Sequence, residues 1–113
     1  MKERCSSVFR IEWEFAVKPG CEERFEQIYG PAGDWARLFR RGEGYLRTEL
    51  HRGQQARRYR TVDFWRSRGA YEDFRKQHEM EYHTLDEVCA ALTESEAEIS
   101  HSEAGDTSTA QDW

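Results

Sequence analysis

The side chains best suited to chemistry gather between residues 51 and 71: His51, Tyr59, Thr61, Asp63, Trp65 and Tyr71. The ordinary pKa of His51 lies near neutrality, which makes it the best proton acceptor of the group where it faces a pocket. Its place at a strand end beside Arg52 suits solvent as well. Asp63 shares strand parity with Thr61 and Trp65. A carboxylate on such a face is either a functional group with a raised pKa or the buried partner of an arginine such as Arg47. Trp65 and Tyr71 sit at a strand–helix junction, where large amphipathic side chains either fill a core or line a site. Tyr59 and Trp35 present the same choice.

Residues 78 to 83 read His-Glu-Met-Glu-Tyr-His, a run that invites a metal. Histidines five apart project about 140° from one another on a helix, so they do not share an ion as an i, i+4 pair does. No metal is expected there, and His83 reads as a surface residue near Glu79, Asp86 and Glu87.

The chain carries a formal charge of −5 over 113 residues, and its densest basic group is Arg57, Arg58 and Arg60. Phosphate binding needs clustered Lys and Arg, so nucleic acid is not expected as a partner. The three arginines are expected to pair with Glu12, Glu14 or Glu49 on neighbouring strands. Cys5, Cys21 and Cys89 form no CxxC and no even set, which points to a reduced, cytoplasmic setting. The first residues lack an apolar leader, and no segment approaches the roughly 20 apolar residues that span a bilayer. A soluble, unexported protein with no membrane partner is expected.

These side chains must be positioned by a small set of elements. Residues 8 to 17 alternate, with Phe9, Ile11, Trp13, Phe15 and Val17 on one face and Arg10, Glu12 and Glu14 on the other. Pro19-Gly20 ends that strand. Cys21, Phe25, Ile28 and Tyr29 then mark an amphipathic helix that stops at Gly30-Pro31. Asp34 is placed to cap a short helix carrying Trp35, Leu38 and Phe39. A second strand is expected from Tyr45 to His51, with Leu46, Thr48 and Leu50 on one face. Gly53-Gln54-Gln55 turns it into an antiparallel third strand, residues 57 to 65. Ser67 can cap the next helix, whose Ala70, Tyr71, Phe74 and His78 share one side. After a break near His78 to Met80, the spacing of Tyr82, Leu85, Val88, Cys89 and Leu92 marks a further helix. Residues 96 to 102 alternate weakly as a last strand.

This βαββαβ-like order predicts an α+β domain with a ferredoxin-like antiparallel sheet and helices on one face. Residues 1–7 read as an N-terminal arm, 8–103 as the domain, and 104–113 as a mobile acidic tail.

The run Trp65-x-Ser67-x-x-Ala70-Tyr71-x-x-Phe74 after a strand resembles the antibiotic biosynthesis monooxygenase family of dimeric α+β barrels. Phe15 to Gly20 followed by Glu22, Phe25 and Tyr29, and Gly44-Tyr45-Leu46 to Leu50, extend the likeness to residues 8 to 102. The resemblance implies that two sheets pack face to face in a homodimer, with a pocket between sheet and helices in each subunit.

The family's quinone-forming members use no metal, haem or flavin: the aromatic substrate is deprotonated and its carbanion passes an electron to O2. Such chemistry asks the protein to accept a proton, stabilise an anion and exclude water. By that resemblance the catalytic positions are His51, Trp65 and Tyr71. The remaining contacts to a small aromatic or hydrophobic molecule are Trp35, Tyr59, Thr61, Asp63, Phe74 and Tyr82. Thr61 stands where the family has Asn, and one hydroxyl replaces the two donors of an amide. No arginine in the third helix matches the family's. The haem-degrading branch needs an Asn where Trp13 stands and a Trp where Phe74 stands, so haem is not expected as a substrate. The expected activity is a cofactor-independent monooxygenase or related tailoring enzyme. The alternative is a noncatalytic or regulatory barrel that binds a small hydrophobic ligand.

Overall fold

The structure is a computed structural model that describes the backbone of residues 8–104 and the side chains of residues 8–98. The expected arm of residues 1–7 and all of the expected tail beyond Ala104 lie outside the described residues, as does Cys5.

The elements run β1 (Val8–Val17), α1 (Glu22–Tyr29), α2 (Asp34–Phe39), β2 (Tyr45–Arg52), β3 (Arg58–Trp65), α3 (Arg68–Gln77), α4 (Glu79–Ala90) and β4 (Thr93–Ala104). The strands form one antiparallel sheet in the order β2-β3-β1-β4. That is the ferredoxin-like order expected from the sequence, and each half carries two short helices instead of one. No described helix is long and apolar enough to cross a membrane.

The alternation in β1 and β3 decides which face the helices cover. Phe9, Ile11 and Phe15 of β1 pair with Trp65, Asp63 and Tyr59 of β3, and all six are buried against the helices. Phe25, Ile28 and Tyr29 of α1, with Trp35, Leu38 and Phe39 of α2, close the core from above. Phe25 stacks on Tyr29 at 4.1 Å between ring centroids and meets Phe15 edge-on at 5.1 Å. Aromatic rings thus pack against one another through the core.

Local chemistry sets the helix boundaries. Ser67 Oγ accepts from Ala70 N at 3.1 Å and caps α3, as its sequence position predicts. Asp34 is not the cap of α2. Gly33 holds that place because a Cβ there would lie 2.3 Å from Ile28 O, and Asp34 instead pairs with Arg37 at 3.1 Å. His78 both ends α3 and begins α4, where its non-helical φ of −121° and ψ of 34° break the run. β4 is longer than its alternation suggests, since β1 offers it an edge from Val8 to Val17, with register shifts at Glu12/Trp13 and Ala16/Val17.

The expected alternation of β2 fails at its start. A register shift between Tyr45 and Arg47 leaves Leu46 extra and 48% exposed, and brings Tyr45 to the helix side opposite Trp65. Arg57 departs from its expected pairing. Arg57 lies 3.9 Å from Glu94 and donates to Val17 O, while Glu49 holds Arg47 and His51.

Candidate functional site

Between the helix face of the sheet and the helices lies an aromatic cleft. Trp13 and Phe15 of β1, Thr61 and Asp63 of β3 and Thr48 of β2 make its floor. Tyr29, Trp35 and Phe39 form one wall, and Tyr82 and Asp86 of α4 with Glu96 of β4 form the other. Trp35 meets Tyr82 edge-on at 4.9 Å across the mouth. The cavity between the walls is small, about 40 Å³. A guest the size of an aromatic ring therefore needs the aromatic walls to part.

Asp63 is the chemical centre of the floor. It is 8% exposed, and burial pushes its carboxyl up to about 7, an effect that the hydrogen bond from Thr48 Oγ1 at 2.7 Å only partly offsets. Among the described residues no arginine pairs with it, so of the two readings of Asp63 the buried arginine partner does not hold. Arg47 lies on the opposite face, 3.9 Å over the Phe64 ring, because 47 and 48 alternate along β2. A carboxyl poised at neutrality exchanges a proton at little cost, which is what a general base requires.

The tyrosine hydroxyls around the cleft keep their protons. Burial raises the Tyr29 and Tyr82 hydroxyls far above their ordinary range. Glu96 is raised by its own burial and by the charge of Asp86. The described lining holds three carboxyl groups and no basic side chain. Arg75 lies 3.8 Å over the Tyr82 ring and donates to Tyr71 Oη at 2.8 Å.

Of the sequence candidates, Trp35, Thr61, Asp63 and Tyr82 are brought together here. His51 is not. It pairs with Arg60 on the opposite face of the sheet, its side chain is 54% exposed, and Nε2 lies 3.0 Å from Glu49 Oε1. Strand parity causes this, since Leu50 pairs with Thr61 on the cleft side and the next residue must turn away. Trp65 is fully buried between Phe39, Tyr45, Tyr71 and Phe74, and its Nε1 has no hydrogen-bond partner among the described residues. Tyr71 is half-buried against Phe9 and Trp65. Phe74 lies in the core, 5.2 Å from His78, and Tyr59 donates to Glu26 Oε2 at 2.6 Å under α1. These four support the cleft from behind without lining it.

The reading by residue type passed over Thr48, Trp13, Phe39 and Glu96. The parity of β1 with β3 already placed Trp13 beside Thr61. Only the β2–β3 register, which pairs Thr48 with Asp63, could reveal the threonine. Among the described residues no group of three His, Cys, Asp or Glu is arranged to hold a metal ion.

Helices on one face of a four-stranded antiparallel sheet, over an aromatic cleft with a buried carboxyl, define a ferredoxin-like α+β domain. The chain belongs to the antibiotic biosynthesis monooxygenase family, whose model matches residues 8–83. Among solved structures it is similar to SnoaB, a cofactor-independent oxygenase from Streptomyces nogalater, at 19% identity and a TM-score of 0.65, covering 95% of this chain and 99% of that one. PA3566 from Pseudomonas aeruginosa matches at 16% identity and TM-score 0.64, covering 92% of this chain and 100% of the other. SO0527 from Shewanella oneidensis matches at 20% and 0.62, covering 91% and 98%. At such identities the likeness speaks for the fold. No curated protein matches the chain.

Proposed function

We propose that this protein is a cofactor-independent monooxygenase that oxidises a small, electron-rich aromatic or polyketide-like molecule with O2, working in the cytoplasm as a homodimer. The observation that carries the reading is Asp63: a carboxyl held near neutrality on the floor of an aromatic cleft. In the reaction, Asp63 takes a proton from an acidic C–H or phenolic O–H of the bound ring. The resulting anion gives one electron to O2, and the radical pair recombines as a peroxide. Asp63 returns its proton to the peroxide, and the hydroperoxide then loses water, taking the remaining hydrogen of the oxygenated carbon and leaving a carbonyl, so one oxygen atom enters the product and the other leaves in water.

The surroundings fit a neutral substrate. Three carboxyl groups and no basic side chain among the described lining repel a carboxylate. The Tyr82 and Thr61 hydroxyls are among the lining donors that a developing oxyanion could use. Dimerisation would cover the sheet's other face, which is largely charged, with Arg10 bonded to Glu12 at 3.0 Å and Phe64 beneath Arg47. Burying that face would require matched ion pairs across it.

A second reading, a noncatalytic barrel that binds a small hydrophobic ligand, is favoured by the small free space in the closed cleft. Oxygen uptake by the metal-free protein against anthrone-like and hydroquinone substrates decides between them. Uptake without added cofactor that is lost in Asp63→Asn supports the oxygenase. Ligand binding that quenches tryptophan fluorescence, with no uptake for any substrate, supports the binding barrel.

A further inference from the structure

Among the described residues, Asp63 Oδ1 receives its hydrogen bond from Thr48 Oγ1 at 2.7 Å, and Thr48 Oγ1 is itself 2.7 Å from Tyr45 Oη. The direction of this chain follows from valence. An ionised carboxylate only accepts, so the single proton of Thr48 points at Asp63, and Tyr45 must be the donor to Thr48.

Residues 45 and 48 are three apart, and in a regular strand they would face opposite sides of the sheet. The register shift between Tyr45 and Arg47 puts them on one side. Phe39 and Trp65 then hold the Tyr45 ring, at 5.6 and 5.3 Å. Backbone irregularity, aromatic packing and register thus converge on one buried carboxyl.

We propose that Thr48 and Tyr45 are positioning residues, a one-way hydrogen-bond chain that engages Oδ1 of Asp63, keeps the carboxyl ionisable and leaves Oδ2 for the substrate in the cleft. The inference rests on Asp63 being the proton acceptor of the proposed reaction. Thr48 favours the charged form against the cost of burial. Tyr45 keeps the Thr48 proton from turning elsewhere. The other titratable groups around Asp63 do not take this part: Tyr82 and Asp86 of α4 and Glu96 of β4 stand across the cleft and supply no positive charge. Arg40 acts on Tyr45 from the end of α2 and favours no charge on Asp63 directly.

The test is the carboxyl titration of Asp63 by carbon NMR of aspartate-labelled full-length protein, assigned by loss of the signal in Asp63→Asn. Thr48→Val should raise the midpoint by about one to two pH units, the worth of a hydrogen bond to a charged group. Thr48→Ser should restore it, and Tyr45→Phe should raise it by less. With a substrate that is turned over, Thr48→Val should lower kcat at pH 7 about five- to fifty-fold with KM unchanged, and shift the acid limb of the pH profile equally.

A titration unmoved in Thr48→Val overturns the positioning role. If Thr48→Val fails to fold, Tyr45→Phe decides, and a midpoint identical to the parent's overturns it too. A moved titration with no oxygen uptake by any substrate leaves the chain intact and overturns the oxygenase reading instead.

Discussion

Asp63 and His51 stand on adjacent antiparallel strands with their side chains on opposite faces of the sheet: Asp63 pairs with Thr48 toward the helices, and His51 pairs with Arg60 away from them. The sheet backbone therefore separates the buried carboxyl of the cleft floor from the histidine. His51→Ala is expected to leave oxygen uptake within about twofold. Asp63→Asn should lower it by about 10²- to 10⁴-fold, the usual worth of a general base. Initial rates at pH 7.5 with one substrate check both. A large loss in His51→Ala with a small one in Asp63→Asn would reverse the assignment.

Burial of Asp63 also makes stability depend on pH. Its folded-state pKa is raised from 3.8 to about 7, so between those values the folded protein binds more protons than the unfolded chain. Stability is then highest below about pH 4 for this group and falls as pH rises towards 7, by a few kcal/mol in all. Urea midpoints at pH 5 and pH 8 should differ in the parent by more than in Asp63→Asn. The variant should be the more stable of the two at pH 8. Equal pH dependence in both would show that the carboxyl titrates as an exposed group does.

Much of this arrangement is legible in the sequence, and the illegible part has a local cause. The strand–Trp–x–Ser junction, the Ser67 cap and the face shared by Thr61, Asp63 and Trp65 follow from periodicity and capping chemistry, and the structure reproduces them. Strand β2 is where the reading slips. A register shift of one residue is invisible to an alternation rule, so Tyr45 appeared to face away from Thr48. His51 is a candidate by its side-chain chemistry and by the family resemblance, and the parity that turns it from the cleft is legible in Leu50 beside it. Whether Trp65 and Tyr71 fill a core or touch a ligand depends on how the helices close over them, which spacing does not encode.

Tyr59 offers a contrast with Asp63. Burial first, and then the carboxylate of Glu26 2.6 Å away, push its hydroxyl up to about 12, so it stays a donor throughout the accessible pH range. Tyr59→Phe removes that bond and leaves Glu26 its ion pair with Arg52 at 2.8 Å. A loss of about 1 to 2 kcal/mol in stability is expected, with ligand affinity unchanged. Denaturant unfolding and fluorescence titration give the two numbers, and a loss of affinity would return Tyr59 to the substrate site.

Gly44 tests how tightly the junction behind the cleft is held. Its φ of +99° is open to glycine and strained for other residues, and a Cβ there would come within 2.7 Å of the Ala70 Cβ. Its carbonyl also accepts from Arg66 N at 2.6 Å, fixing the start of β2 to the end of β3 just ahead of Ser67. Gly44→Ala should therefore cost about 2 kcal/mol or more, through strain and through displacement of α3 by its Ala70 contact. Because α3 carries Tyr71 and Phe74 against Trp65, the variant should also broaden the aromatic NMR signals of that cluster. The double variant Gly44→Ala, Ala70→Gly relieves the clash and leaves the strain, so it should recover part of the stability. Full recovery would mean that the contact, and not the backbone angle, sets the requirement for glycine.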